Sequence, residues 1–123
     1  MTITDLIALA TELAIPFATS TDCTSGEVAA ALVTSSGRVY TGVCIDTECG
    51  IGFCAEHAAI AEMMKARECV IKMIVAVDHT GTILAPCGRC RELMWQVADQ
   101  NRDTAVVLTP EKSVLLADLL PFR

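Results

Sequence analysis

Two short stretches of the sequence contain residue types that can bind a metal ion and move a proton. Residues 53–58 are Phe-Cys-Ala-Glu-His-Ala, and residues 86–91 are Pro-Cys-Gly-Arg-Cys-Arg. A catalytic zinc ion keeps three protein ligands and leaves its fourth position to water. The two stretches supply three thiols for such a site: Cys54, Cys87 and Cys90. We therefore interpret them as the ligands of one Zn²⁺.

Glu56 lies two positions after the first of these cysteines and is the candidate for proton transfer. Zinc lowers the pKa of a bound water so that a nucleophile forms at neutral pH. A carboxylate that is not needed as a ligand can take the released proton and pass it on. The alternatives are a structural zinc site or a set of buried cysteines. Because a closed structural site usually takes four ligands, three thiols beside a glutamate favour a catalytic site.

The charge of the three thiolates must be offset, because together they leave the zinc site negative and make its water harder to ionise. Helices that begin at Cys54 and Cys87 would direct the partial positive charge of their N-termini toward the metal. Three side chains beside the ligands are further candidates for charge or hydrogen bonds: His57, Arg89 and Arg91. The sequence does not distinguish between them.

At these motifs the chain resembles the cytidine deaminase family in its small form, which uses three cysteines and no histidine. The spacing Cys-x-Glu followed by Pro-Cys-x-x-Cys matches the zinc deaminase signature. The similarity extends from about Ala30 to Leu120 and includes Ser-Gly-Arg-Val-Tyr-Thr-Gly at residues 36–42 and Leu-Leu-Pro at residues 119–121. It implies a three-layer α/β/α sandwich, a zinc cofactor and shared active sites in a homotetramer.

The resemblance further implies hydrolytic removal of an amino group from a cytosine-type ring, with cytidine or deoxycytidine as the first choice. The stretch Pro-Cys-Gly-Arg-Cys-Arg at residues 86–91 also resembles blasticidin-S deaminase. Deamination of blasticidin S or another amino-heterocycle is therefore the alternative. A non-catalytic zinc-binding protein is the alternative of a different class.

Some of the substrate contacts that the resemblance implies are altered in this sequence. The family holds ribose with an Asn-x-Glu pair, where this chain has Cys44 and Asp46. Its stacking aromatic residue is replaced by Gly26-Glu27. The other candidate contacts are Glu48, the backbone at Ala55 and near Pro86, and Phe122, which would enter a neighbouring subunit's site. We expect cytidine to be a poorer substrate than for a typical family member.

Composition and charge restrict the function classes. The 123 residues are predicted to form one domain, residues 1–123, and no apolar run reaches the roughly 18 residues of a membrane span. The net charge of −6 disfavours nucleic acid, because phosphate binding depends on clustered Lys and Arg. The first residues include Asp5 and Glu12 and lack the basic start of a signal peptide. We expect a cytoplasmic protein with a small-molecule substrate.

The predicted elements favour a mixed sheet with helices on both faces. Helices are predicted at residues 4–15, 54–67, 87–99 and 113–120, with Thr4 and Ser113 as the caps of the first and last. Strands are predicted at residues 28–34, 38–45, 70–77 and 104–109, the first two forming a hairpin around Gly37. Residues 17–26 are predicted to be a polar loop. The short stretch after the fourth strand argues against the fifth strand that the family usually has.

Overall fold

The computed structural model describes the whole chain from Met1 to Arg123 and places seven strands in one mixed sheet. The strands are β1 (Phe17–Ser20), β2 (Cys23–Thr34), β3 (Val39–Thr47), β4 (Ile71–Asp78), β5 (Ile83–Leu84), β6 (Ala105–Thr109) and β7 (Lys112–Leu115). The long strand β2 pairs antiparallel with β1, β3 and β4. On its other edge, β4 pairs antiparallel with β5 and parallel with β6, and β7 lies antiparallel to β6.

The helices lie on both faces of this sheet and confirm the three-layer α/β/α sandwich. They are α1 (Ile3–Leu13), α2 (Ala55–Lys65) and α3 (Gly88–Val97), with 3-10 turns at Glu48–Gly50, Asp99–Asp103 and Leu116–Leu119. One core contains α1, and a second, larger core contains α2 and α3. None of the helices is long and apolar enough to cross a membrane.

Strand β2 separates the two cores because side chains of a strand alternate between the faces of the sheet. Ala29 and Ala31 pack with α1, whereas Ala30 and Leu32 pack with α2 and α3. All four side chains are fully buried. A strand buried on both faces carries a continuous apolar run, which explains why the sequence indicated this strand clearly.

Two predicted helix boundaries need correction. The cap of α1 is Thr2 and not Thr4: the Thr2 hydroxyl accepts from the Asp5 N–H at 3.1 Å, and the Asp5 carboxylate accepts from the Thr2 N–H at 3.0 Å. This reciprocal pair satisfies two N–H groups at the helix start. The predicted last helix at residues 113–120 is wrong, because its first part is strand β7, and only Leu116–Leu119 forms a 3-10 turn.

The structure also contains strands that the sequence did not indicate. Residues 17–26 were expected to be a loop, yet they contain β1 and the start of β2. Strand β7 supplies the strand after the fourth predicted one, with Ser113 paired to Val107. Every residue of β1 is exposed, and most of β7 is exposed. These strands are held by backbone pairing and do not bury one face. Their sequences therefore lack the alternation of apolar and polar residues that indicates a strand.

The end of α3 is fixed to the sheet by Asn101, which is fully buried. Its Oδ1 accepts from the Ile71 N–H at 2.8 Å. Its Nδ2 donates to the carbonyl oxygens of Met94 at 2.8 Å and Cys69 at 3.0 Å. A buried amide with all these partners stabilises one arrangement of α3 relative to β4.

The start of α2 is positioned by a close contact with strand β3 at Gly42. A Cβ atom added to Gly42 would lie 2.4 Å from the Ala59 nitrogen and 2.5 Å from the Ala58 Cβ. Helix α2 therefore rests directly on the backbone of β3, and only glycine leaves room for it. This contact sets the distance between α2 and the sheet.

We predict that Gly42→Ala lowers the free energy of unfolding by about 1–3 kcal/mol, because overpacking of a tight contact forces the backbone apart. The matched control is Gly88→Ala, since a Cβ at Gly88 meets nothing within 4 Å. Urea unfolding of both variants measures the difference. Equal stability of the two variants would contradict the packing argument.

Candidate active site

The three predicted ligand thiols meet at the N-termini of α2 and α3. Cys54 is the N-cap residue of α2, Cys87 is the N-cap residue of α3, and Cys90 lies buried in the first turn of α3. The Sγ atoms of Cys54 and Cys87 are 3.6 Å apart, as are those of Cys87 and Cys90. Two sulfur ligands of a tetrahedral zinc ion, each at about 2.3 Å, are separated by about 3.8 Å. The donor set therefore fits a zinc ion.

The helix termini leave these thiols available for a metal. Neither Cys54 nor Cys87 makes a side-chain capping hydrogen bond to its helix. The first N–H groups of α2 and α3 thus direct partial positive charge toward the sulfur atoms, as expected from the sequence. Burial is the main reason that the pKa of the Cys54 thiol and the pKa of the Cys90 thiol are raised. Zinc binding must consequently displace protons from these groups.

Glu56 is the second residue of α2 and lies beside the thiols. Only 5% of its surface is exposed, although its side chain contributes to the wall of the main cavity. Burial raises the pKa of the Glu56 carboxyl above its usual range. A raised pKa makes the protonated form of the carboxyl easier to reach, which suits a group that must both take up and release a proton.

His57 is brought to the thiols by the first turn of α2. Its Nδ1 is 3.3 Å from the Sγ of Cys90. The atoms with which Cys54, His57 and Cys90 could bind a metal ion all lie within 4.8 Å of one another. The ring of Phe53 stacks on the imidazole with 6.4 Å between ring centroids and 16° between ring planes. His57 is thus the only one of the three candidates for charge compensation with a direct hydrogen bond to a thiol.

The two arginines have other positions. The Nε of Arg91 donates to the Pro86 carbonyl oxygen at 2.7 Å, and its Nη1 donates to the Leu119 carbonyl oxygen at 3.4 Å. Arg91 therefore ties the loop before α3 to the C-terminal 3-10 turn. Arg89 is exposed and lies at the wall of the cavity.

A cavity of about 420 Å³ opens beside Glu56 and the thiols of Cys54 and Cys87. This volume lies within the range of small-molecule sites. Three predicted substrate contacts line it: Cys44, Asp46 and Ala55. Pro86 lines a smaller recess that adjoins it at Glu56.

Two predicted contacts lie outside this cavity. Glu48 is exposed in the 3-10 turn after β3 and does not line the cavity. Phe122 is fully exposed near the C-terminus and does not approach the cavity of its own chain. A role for Phe122 within the same chain is therefore excluded by its position.

The thiol of Cys44 is engaged by the protein itself. It accepts from the Val28 N–H at 3.3 Å and donates to the Asp46 Oδ2 at 3.3 Å, and only 5% of the residue is exposed. Asp46 is exposed and faces the cavity. Thr47 also lines the cavity, but its hydroxyl oxygen is buried and has no hydrogen-bond partner in the protein. Asp46 is thus the exposed polar side chain that β3 offers to a ligand.

Glu27 is a cavity residue that the sequence indicates only as part of the Gly26-Glu27 pair replacing the family's stacking aromatic residue. Between the pairs Ser25↔Ile45 and Ala29↔Val43, strand β2 contains two residues more than β3. The bulge begins at Gly26, whose φ is +82° and whose Cβ position would be 2.3 Å from the Ile15 carbonyl oxygen. A bulge redirects side chains, and here Glu27 reaches the cavity wall. The glycine inside a strand pattern was the available signal.

The fold and the site define a zinc-dependent hydrolase, in which a buried carboxyl and a cluster of thiols share one cavity. Residues 5–107 match the family model for the cytidine and deoxycytidylate deaminase zinc-binding region. The cytidine deaminase of Mycobacterium tuberculosis is 30% identical over 95 residues, which cover 76% of this chain and 69% of that protein. A probable cytidine deaminase of Dictyostelium discoideum is 31% identical over 88 residues, 70% of this chain and 58% of that protein.

Solved structures show the same relationship. The cytidine deaminase of Burkholderia pseudomallei superimposes with a TM-score of 0.78 at 30% identity, covering 99% of this chain and 98% of that one. The enzyme of Mycobacterium tuberculosis gives a TM-score of 0.80 at 27% identity, covering 97% and 94%. The chain belongs to the cytidine and deoxycytidylate deaminase family. It is a zinc-dependent aminohydrolase, and its cofactor is zinc.

Proposed function

We propose that this protein hydrolyses the exocyclic amino group of the cytosine ring in a free nucleoside, cytidine or deoxycytidine. The observation that carries the proposal is the convergence of Glu56 and the thiols of Cys54 and Cys87 at the wall of one cavity of about 420 Å³. Membership of the deaminase family supports the same reaction.

The residues that hold the metal in this proposal are Cys54, Cys87 and Cys90, whose sulfur spacing fits a single zinc ion. When bound, zinc activates a water molecule as the nucleophile. The helix N-termini at Cys54 and Cys87 favour the thiolate form of these ligands, because they direct partial positive charge toward the sulfur atoms.

Glu56 performs the proton transfers. Its carboxylate takes a proton from the attacking water and delivers it to the ring nitrogen next to the reacting carbon. The amino nitrogen then receives the second proton of the water and leaves as ammonia, and the ring carbon retains the oxygen as a carbonyl. Because the Glu56 side chain is nearly excluded from solvent, bulk water does not compete for these protons.

Backbone groups orient the amino group of the substrate in this proposal. Ala55 is the first residue of α2, so that its N–H has no partner within the helix. The Pro86 carbonyl is held in place by Arg91, 2.7 Å away, and retains a second lone pair for the substrate amino group. Ala55 lines the main cavity together with Glu56, and Pro86 lines the adjoining recess together with Glu56.

The cavity charges favour a nucleoside over a nucleotide. Glu27 and Asp46 place exposed carboxylates at the cavity, where Arg89 is the only cationic side chain. A phosphate group would be repelled by these carboxylates. The same charges favour a second candidate, an amino-heterocycle with a cationic substituent, such as blasticidin S. The changed residues Cys44 and Asp46 also support this candidate.

We infer a cytoplasmic location from the thiols. The seven cysteines of the chain are all unpaired, and thiols that hold zinc must remain reduced. A reducing compartment maintains that state.

We also propose a homotetramer with shared active sites. Large apolar side chains are exposed on one chain: Ile15, Phe17, Ile51, Phe53 and Phe122. Phe122 is fully exposed although Arg123 beside it is fixed by Glu92 at 2.7 Å. An ordered backbone that presents an aromatic ring to solvent is consistent with a ring that enters the cavity of a neighbouring subunit.

The first prediction of this proposal separates metal binding from proton transfer. Cys87→Ala should lose most of its zinc, whereas Glu56→Gln should keep one zinc per chain and lose about 10²–10⁴-fold in turnover, because an amide cannot exchange protons. Elemental analysis and ammonia release measure the two effects. Cys69→Ala, which removes a thiol outside the cluster, should retain its zinc. Zinc retention in Cys87→Ala, or turnover within a few-fold of wild type in Glu56→Gln, would refute the assigned roles.

The second prediction concerns the substrate. Loss of a polar contact for which a site was built costs about 1–3 kcal/mol, or roughly 5–150-fold in rate constant. A panel of cytidine, deoxycytidine, cytosine, blasticidin S and aminated purine or triazine rings should therefore rank another compound level with or above cytidine. Deoxycytidylate should be the poorest substrate, and the double variant Glu27→Gln, Asp46→Asn should improve its relative rate. Exclusive use of cytidine and deoxycytidine with kcat/KM near ~10⁵ M⁻¹s⁻¹ would show that other residues hold the sugar.

The third prediction concerns assembly. Sedimentation at micromolar concentration should show four chains per particle. Phe122→Ala should raise the KM, because it removes part of the wall of a neighbouring cavity. The zinc content should stay the same, because the thiols are intact. A fully active monomer would rule out shared active sites.

A further inference from the structure

We propose that His57 is a positioning residue of the metal centre, which donates a hydrogen bond from Nδ1 to the thiolate of Cys90 and is not itself a zinc ligand. The inference rests on the proposed assignment of Cys54, Cys87 and Cys90 as ligands. It identifies the group that offsets the charge of three thiolates around one Zn²⁺.

The direction of the hydrogen bond follows from the thiolate state that Cys90 has as a zinc ligand. The Nδ1 of His57 lies 3.3 Å from the Sγ of Cys90. A thiolate has no proton to donate, so the hydrogen must lie on Nδ1. Cys90 is 0% exposed, and water therefore cannot replace the imidazole as a donor to this sulfur.

The number of thiols excludes His57 as a further ligand. Three thiolates already occupy three positions of a tetrahedral zinc ion, and a fourth protein ligand would close the site to water. A deaminase requires that position for its nucleophile. His57 is close enough to belong to the cluster, but with Cys54, Cys87 and Cys90 as the three ligands the reaction is possible only if His57 remains outside the metal shell.

The other candidate donors are occupied or exposed. The Nε and Nη1 of Arg91 donate to the carbonyl oxygens of Pro86 and Leu119. Arg89 is exposed at the cavity wall and makes no side-chain hydrogen bond to a thiol. His57 therefore remains as the side chain that contacts a ligand sulfur directly.

The orientation of the imidazole is fixed by its neighbours. His57 lies in the first turn of α2, directly after Glu56, and the Phe53 ring stacks on it at 16°. Phe53 also lines the substrate cavity. The hydrogen bond to Cys90 is thus held by the same wall that contacts the substrate.

A hydrogen bond to a ligand sulfur withdraws negative charge from it and makes the metal a stronger Lewis acid. Partners of metal ligands typically contribute about 10–100-fold to metal affinity or activity. We expect a contribution of this size from His57 in the retention of zinc.

The test compares His57→Asn with His57→Leu in the full chain. The two replacements have the same shape, and the Asn amide places an N–H where Nδ1 lies, whereas Leu has no donor. Zinc release to a chromophoric chelator should accelerate about 10–100-fold in His57→Leu and much less in His57→Asn. A second readout uses the Co²⁺-substituted proteins. The thiolate-to-metal charge-transfer band should move to lower energy in the Leu variant, because the sulfur loses its hydrogen bond. The tetrahedral d–d bands should be unchanged in both variants, because the ligands stay the same.

The outcomes are distinct. Equal zinc release from the Asn and Leu variants would overturn the hydrogen-bond role, and so would release from the Leu variant at the wild-type rate. A changed d–d envelope in both variants would show that His57 is a ligand, which also overturns the inference. None of these results tests the proposed deaminase function of the wild-type protein. That function would be refuted separately, if no substrate released ammonia.

Discussion

The convergence of two helix N-termini on one point is the constraint on which the rest of this structure depends. Helices α2 and α3 lie on the same face of the sheet, and the thiols at their first residues are 3.6 Å apart although Cys54 and Cys87 are far apart in sequence. The contact at Gly42 sets the height of α2 over β3, and the buried Asn101 fixes α3 to β4. Small displacements of either helix would separate the sulfur atoms, so that these packing contacts are part of the metal site.

The sheet explains why the metal and the substrate cavity are adjacent. The start of β2 and the end of β3 lie next to the start of α2, because Ser25 of β2 pairs with Ile45 and Phe53 also pairs with Ile45 just before the helix begins. The cavity wall therefore combines strand residues with the helix residue Glu56. The thiols and Glu56 lie at the starts of helices, whereas the other polar residues of the cavity wall, among them Glu27 and Asp46, lie on strands.

The parts of the site that were predictable from the sequence are those whose chemistry is local. Cys54, Glu56 and the Cys87–Cys90 pair are predicted because their spacing alone implies metal binding and proton transfer, and the structure brings the three thiols together. The buried strands β2 and β4 were recognised from their apolar runs. Strands β1 and β7 were missed, since they are exposed and held by backbone pairing. The difference between His57, Arg89 and Arg91 depends on side-chain direction, which neighbouring positions in a sequence do not reveal.

The bulge in β2 has a consequence for how such a protein can diverge. Between Ser25 and Ala29, β2 contains two residues more than β3 and the regular pairing is interrupted. The side chain at position 27 is therefore not required to pack into either core, unlike the side chains of the regular strand that follows. Gly26 cannot change, because its Cβ would collide with the Ile15 carbonyl, but Glu27 can be exchanged for another residue without breaking a strand or moving a thiol. The bulge is therefore a place where mutation can explore new substrates while the catalytic centre remains under separate selection.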